Sequence, residues 1–374
     1  MATLPLRVGV LTSSRADFGI YLPLLKKMQN DTFFNLKIIA FGSHLSPFHG
    51  YTVKAIEAEG FSIDTKIESL LTGDSPEAIA TAMSLTMMKF SQYWGMRASQ
   101  YDIVLCLGDR YEMFAAVTAG VPFGVKFGHL HGGEKTLGAI DNFFRHSISQ
   151  AAWCHFVSTE AYAERLKQML DEPEHIYNVG ALSLDSLADI SFLSKDEIKN
   201  KWNIDMAAPT ILVTFHPETV NVSENIHYAN ELVKTFMALS QFQIVITMPN
   251  ADTLGATVRN IFIEKLSGLP HIVMVENLGT RGYFSVMHHC AFLLGNTSSG
   301  IIEAASLHKY VINVGDRQKG RMQSDNIVDV PISSDAMLEA VKSISGKGDY
   351  TGENIYYRDG SADTICSSLK QLFY

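Results

Sequence analysis

The densest run of chemically capable side chains lies between Gly128 and His146. It reads Gly128-His129-Leu130-His131-Gly132-Gly133-Glu134-Lys135-Thr136, followed by Asp141, Arg145 and His146. Gly108-Asp109-Arg110 closes an apolar run shortly before it. Asp109, Glu134 and Asp141 are therefore three carboxylates that a fold can bring to one point. Carboxylates sharing a partly dry space split their pKa values, so that one stays protonated while another is ionised near neutrality. That suits a reaction in which one proton is removed and another delivered. His129, His131, Glu134, Asp141 and His146 are also metal-ligand types. However, the acid–base pattern of the three carboxylates is the stronger reading. The expectation is acid–base chemistry without a metal, with turn and packing roles for the histidines.

A second set has the character of an anion site. Gly295-Asn296-Thr297-Ser298-Ser299-Gly300 follows an apolar run and opens a helix near Ile301. Its glycines allow a tight turn, and its hydroxyls and free N–H groups face any anion at the helix N-terminus. The run is neither a Walker A loop nor GxGxxG; taken alone, it serves equally well as a plain Ser/Thr cap. Glu303, one turn further on, can accept hydrogen bonds from both hydroxyls of a ribose. Phosphate loop and ribose carboxylate together suggest a nucleotide. Arg15 and Arg317, each after an apolar run, supply guanidinium forks for the phosphates. His216, followed by Pro217 at a strand end, counts only in their company. These residue types do not separate a glycosyltransferase from an epimerase, since both grip UDP-sugars in this way.

The elements that must position these groups are short apolar strands alternating with helices. Arg7–Thr12, Leu36–Phe41, Asp102–Leu107, Gly124–Leu130 and His155–Val157 read as a first set of strands. Thr210–Phe215, Gln243–Thr247, His271–Val275, Ala291–Leu294 and Val311–Val314 read as a second. Continuous apolar strands between helices imply parallel sheets covered on both faces. The fold class is α/β, with two Rossmann-like doubly wound domains facing a cleft, residues 1–180 and 181–357, hinged near Gly180 to Leu187. Ligands of open parallel sheets bind beyond the carboxyl ends of the strands, where the polar clusters fall.

Length and composition agree. The chain has 374 residues, 47% of them apolar, enough for two cores. The net charge of -9 comes with no basic stretch, which sets nucleic acid aside. Cys106, Cys154, Cys290 and Cys366 form no CxxC pair, as expected of buried thiols in a reducing cytoplasm. The N-terminus lacks the pattern of a signal peptide. The longest apolar stretch, Met113 to Val125, is too short for a membrane span and contains Pro122.

With these motifs in view, the chain resembles the hydrolysing UDP-N-acetylglucosamine 2-epimerases, which make N-acetylmannosamine for sialic acid synthesis. The matching pieces are Ser14-Arg15-Ala16-Asp17, Gly108-Asp109-Arg110-Tyr111-Glu112, His131-Gly132-Gly133-Glu134-Lys135-Thr136, and Asp141 with Arg145-His146-Ser147-Ile148. Phe215-His216-Pro217-Glu218-Thr219, the Gly295–Gly300 run and Gly315-Asp316-Arg317-Gln318-Lys319-Gly320-Arg321 follow in the family's order. The resemblance implies a glycosyltransferase-B-like fold whose last helix, around Ala362 to Phe373, brings residues 358–374 back to the first domain. It places UDP contacts at Arg15, Arg110, His216, Asn250, Thr297, Ser298, Glu303 and Arg317, with Arg145, His146 and Ser299 joining the substrate-binding set. A family serine contact is replaced here by Gly19, which offers backbone alone. Asp109, Glu134 and Asp141 become the acid–base carboxylates, and His216 helps stabilise the departing diphosphate. Non-hydrolysing relatives carry a Pro-Glu-Glu-x-Asn-Arg pattern where this chain reads Ala139-Ile140-Asp141-Asn142-Phe143-Phe144-Arg145-His146, which looks like the hydrolysing branch. The resemblance further implies no cofactor and a homodimer or homotetramer. Its rivals are the same chemistry on UDP-2,4-diacetamido-2,4,6-trideoxyglucose for legionaminic acid, a UDP-sugar glycosyltransferase, and a silent nucleotide-sugar sensor.

Overall fold

Strands buried on both faces read as near-continuous apolar runs, and the two sets of such runs in the sequence form two parallel sheets. The computed structural model describes the chain except residues 1–3, 48–49, 72, 74, 172–173, 221 and 249–254. It divides into two compact units. The first comprises Met1–Glu134, Asp141–Ala188 and Tyr356–Tyr374; the second comprises Lys135–Ile140 and Asp189–Ile355.

In the first unit, β1 (Leu6–Thr12), β2 (Phe34–Phe41), β3 (Ile63–Ile67), β4 (Ile103–Leu107), β5 (Phe127–Leu130), β6 (Cys154–Val157) and β7 (Ile176–Asn178) are parallel, in the order β3-β2-β1-β4-β5-β6-β7. Successive residues of β4 serve opposite layers: Ile103, Leu105 and Leu107 enter one core, Val104 and Cys106 the other. Trp94, 1% exposed, anchors the second of these layers and donates its indole N–H to the Ala116 carbonyl at 2.9 Å. The strand order reverses between β1 and β4, so the crevice at their carboxyl ends is the natural ligand position of this sheet. Arg15 follows β1, and Asp109 and Arg110 follow β4.

The second unit repeats the plan with β8 (Thr210–Thr214), β9 (Gln243–Thr247), β10 (Ile272–Val275), β11 (Phe292–Gly295), β12 (Val311–Val314) and β13 (Ile327–Val330), in the order β10-β9-β8-β11-β12-β13 and again parallel. Its reversal lies between β8 and β11, which lead into His216 and into the Gly295–Gly300 run. Gly295 holds φ +148 with no room for a Cβ beside the Thr214 carbonyl, so this crossing point requires glycine.

Three differences from the sequence reading concern boundaries. The units change at Ala188/Asp189 and Ile355/Tyr356, not at 180/181 and 357/358. Residues near the expected hinge form the helix Ser183–Asp189, and its Asp185 carboxylate accepts the backbone N–H groups of Ser361 (3.1 Å) and Ala362 (2.7 Å). That caps the last helix, Ser361–Phe373, whose Ile365 and Leu369 are buried in the first unit's core. Tyr356 is fully buried there, its hydroxyl 3.0 Å from that of Tyr162. The third difference is the stretch Lys135–Ile140, which sorts with the second unit. Leu137 N–H donates to the Lys319 carbonyl at 2.9 Å, Ile140 N–H donates to Thr219 Oγ1 at 3.0 Å, and Gly138 lies flat against the Asp316 carbonyl. Among the described residues no helix is long and apolar enough to cross a membrane.

Candidate functional site

In the first unit the turn after β1 is built around one carboxylate. Asp17, 4% exposed, accepts from Ser13 N–H (2.8 Å), Ser13 Oγ (2.6 Å), Ser14 N–H (3.1 Å) and Ser14 Oγ (2.8 Å). Ser14 in turn caps the helix Arg15–Gln29 by accepting from Asp17 N–H, a reciprocal capping box. The helix therefore begins at Arg15, which is left exposed on its first turn.

The turn after β4 is held from two sides. The Asp109 carboxylate pairs with the Arg145 guanidinium, which is 1% exposed. Arg145 lies one turn into the helix Asp141–Ala151, so this pair ties the Asp109 turn to the helix that starts at Asp141. Arg110 forks onto Glu112 at 2.9 and 3.2 Å, and Glu112 is 1% exposed. Glu112 thus aims one of the expected phosphate ligands, a part that residue type alone did not reveal. His129 secures the same turn. Its Nε2 donates to the Gly108 carbonyl at 2.8 Å and its Nδ1 accepts from Ser149 Oγ at 3.0 Å. Burial drives its pKa down to about 3, so the ring stays neutral. For His129 the structure gives the turn and packing role that the sequence suggests.

His131 departs from that expectation. It sits just past β5 with φ +62, a left-handed conformation uncommon outside glycine, and donates from Nδ1 to Glu134 Oε1 at 2.8 Å. The same oxygen accepts from Ser158 Oγ at 2.9 Å, and Glu134 is 1% exposed. Glu134 is therefore not a bare carboxylate but one member of a His–Glu–Ser set. His146 Nε2 lies 3.0 Å from an Arg165 guanidinium nitrogen. Among the described residues no three His, Cys, Asp or Glu side chains gather as metal ligands.

In the second unit the expected nucleotide loops are joined by Asn296, which is fully buried. Its Oδ1 accepts from His216 N–H at 2.7 Å and its Nδ2 donates to the His216 carbonyl at 2.8 Å. Its own carbonyl accepts from Gln318 Nε2 at 2.7 Å. One side chain and one carbonyl thus bind the His216 loop and the Arg317-Gln318 loop to the Thr297–Ser299 run. Thr297 caps the short helix Ser298–Ile302, accepting from Ser299 N–H at 3.3 Å, so the helix opens three residues before Ile301. Ser298 is exposed, Ser299 and Arg317 are half-buried, and Glu303, at the end of that helix, is 6% exposed. Glu218 Oε1 accepts from Asp316 N–H at 2.7 Å and so steadies the loop of Arg317. Asn250 lies outside the described residues. The second unit offers hydroxyls, N–H groups, a guanidinium and a carboxylate suited to a nucleotide. The first offers three carboxylates, two of them on dedicated donors.

Comparison with known proteins places this arrangement. Residues 26–370 match the family model described as UDP-N-acetylglucosamine 2-epimerase. A protein of Campylobacter jejuni named GDP/UDP-N,N'-diacetylbacillosamine 2-epimerase (hydrolyzing) is 35% identical over 339 residues, 90% of this chain and 88% of that protein. The Legionella pneumophila UDP-N,N'-diacetylbacillosamine 2-epimerase (hydrolyzing) is 33% identical over 363 residues, 97% of this chain and 95% of that protein. Among solved structures, the Neisseria meningitidis UDP-GlcNAc 2-epimerase bound to UDP-GlcNAc superposes with a TM-score of 0.81 at 17% identity, covering 98% of this chain and all of that one. That likeness shows the shared two-domain fold of the glycosyltransferase-B type. The chain belongs to the UDP-N-acetylglucosamine 2-epimerase family, in its hydrolysing branch.

Proposed function

We propose that this enzyme hydrolyses UDP-N,N'-diacetylbacillosamine, the UDP-linked 2,4-diacetamido-2,4,6-trideoxy sugar, releasing UDP and the free sugar epimerised at C2. The observation that carries the choice of sugar is the pair of relatives at 35% and 33% identity, both named for that substrate and both matched over most of their length. The second reading is UDP-GlcNAc, converted to N-acetylmannosamine and UDP. It is favoured by an Escherichia coli relative, 30% identical over 339 residues, named polysialic acid biosynthesis protein P7.

The chemistry is common to both. The C2 hydrogen is not beside a carbonyl, so direct abstraction is hard. Departure of UDP from C1 builds positive charge on the ring and acidifies C2. Loss of the C2 proton then gives a 2-acetamidoglucal. Water adds at C1 while a proton reaches C2 from the opposite face. Arg15, Arg110, His216, Arg317 and the Thr297–Ser299 hydroxyls stabilise the departing diphosphate, and Glu303 takes the ribose. Glu134 and Asp141 serve the two proton transfers, and Asp109 assists the elimination. A homodimer or homotetramer is the assembly this reading carries over from the family, and the mass of the particle in solution tests it.

Each UDP-sugar incubated with the enzyme in deuterated water, without added metal, is expected to release UDP and a free sugar deuterated at C2, followed by proton NMR. The diacetamido substrate is expected to give the larger kcat/KM. A larger value for UDP-GlcNAc moves the enzyme to the second reading, and products that keep the nucleotide overturn the hydrolytic one. Turnover that needs an acceptor indicates a transferase.

Asn296→Ala tests the nucleotide side. It removes the two hydrogen bonds that hold the His216 backbone, each worth about 0.5–1.5 kcal/mol. UDP affinity measured by calorimetry is expected to fall at least roughly tenfold, because the His216 and Thr297 loops lose their tie. Affinity equal to the parent protein's removes Asn296 from the site.

A further inference from the structure

We propose that the proton carried at the Glu134 end of the site moves through Nε2 of His131, with Glu134 as the positioning carboxylate behind it. This rests on the hydrolytic reading above and refines one of its proton transfers.

Three observations carry it. Glu134 Oε1 already accepts two hydrogen bonds, from His131 Nδ1 at 2.8 Å and Ser158 Oγ at 2.9 Å. Its side chain is 1% exposed, whereas that of His131 keeps 11%, so the imidazole is the reachable member of the pair. Third, an ionised carboxylate only accepts, so Nδ1 holds the ring proton and Nε2 carries the lone pair. A carboxylate behind one ring nitrogen, setting the tautomer of the other, is the arrangement by which a histidine becomes a general base.

The backbone supports the same view. His131 occupies φ +62, where glycine is favoured, and the next two residues are Gly132 and Gly133. Held strain of this kind gathers at functional positions. The contrast with His129 is direct, because both nitrogens of that ring are engaged in tying the Gly108 turn to Ser149.

The step balances. As the C1–O bond breaks, its electron pair leaves with the diphosphate. The C2–H pair becomes the C1=C2 bond, and the proton passes to Nε2. The resulting imidazolium is stabilised by Glu134 and returns its proton to water once UDP has left. Asp141 remains the source of the proton that reaches the other face of C2.

His131→Gly is the test, because glycine suits the backbone conformation and leaves a space the size of the ring. With the substrate that the parent enzyme turns over, kcat is expected to fall at least roughly a hundredfold, while UDP affinity by calorimetry stays unchanged. Added imidazole is expected to restore turnover. Across a series of substituted imidazoles, the restored rate is expected to rise with the basicity of the additive. A rate within a few-fold of the parent overturns the proposal. So does a loss that no imidazole restores, or a rescue indifferent to basicity, since either marks a structural ring. Failure of the parent enzyme itself to turn over any UDP-sugar is a different result: it removes the hydrolytic reading and this inference with it.

Discussion

Asp109→Asn is expected to lower kcat by about 10²–10⁴-fold, the range of a lost acid–base group, and to destabilise the first unit as well. The second effect comes from Arg145. Its guanidinium is 1% exposed and pairs with Asp109, so the substitution leaves a buried cation beside a neutral amide. Removing one partner of a fully buried pair costs about 3–5 kcal/mol. The Asp109 side chain keeps 23% exposure, which lets water approach the site, so roughly 2–3 kcal/mol is the fitting figure. Turnover by NMR, thermal unfolding and UDP calorimetry separate the effects. The first two fall, while UDP affinity holds to the extent that the second unit supplies it. Parent-like turnover would take Asp109 out of the acid–base set.

Acidification is expected to destabilise the first unit well before its carboxylates titrate. His44, His129 and His155 are all buried, and burial lowers their pKa values to about 4, about 3 and about 4. His44 stands between Thr12 Oγ1 and Thr52 Oγ1, each 2.9 Å from a ring nitrogen; Asp17 opposes its shift and Arg110 adds to it. In the unfolded chain each ring titrates near its ordinary value of about 6.5. A histidine whose folded pKa is depressed contributes its full stability above about pH 6.5 and loses it as the pH falls towards the folded value. At pH 5 the loss is about 1.5 pH units times 1.36 kcal/mol, or about 2 kcal/mol for each ring. Three rings together approach 6 kcal/mol, a large part of the 5–15 kcal/mol typical of a domain. Urea unfolding followed between pH 7.5 and 5 checks this. A midpoint that does not move over that span contradicts it, and His129→Gln is expected to flatten the slope.

Much of the fold was legible because burial on both faces forces continuous apolar runs. β4 and β11 stand out in the sequence for that reason, and their carboxyl ends had to carry the polar clusters. β3, β7 and β13 were not legible. They are edge strands of three to five residues with half-exposed side chains, so they leave no apolar run to read. The opening turn of the first helix is specified by the Ser14–Asp17 box and not by apolar spacing, so periodicity carries no signal for it.

The candidate site divides along the same line. Residue types and motif order named Asp109, Glu134, Asp141, His216, Thr297, Ser298 and Arg317, and with them the class of reaction. They did not say that Glu112 aims Arg110, that Asn296 joins the nucleotide loops, or that Glu134 stands behind His131. Those partners pair residues such as His216 and Asn296, 80 apart in the chain. By itself the sequence determined most of the strands and which side chains stand at their ends, because continuous burial is a local constraint. Which partner each polar side chain takes was decided by the tertiary structure alone, because a buried donor must meet whatever acceptor the packed loops bring within 3 Å of it.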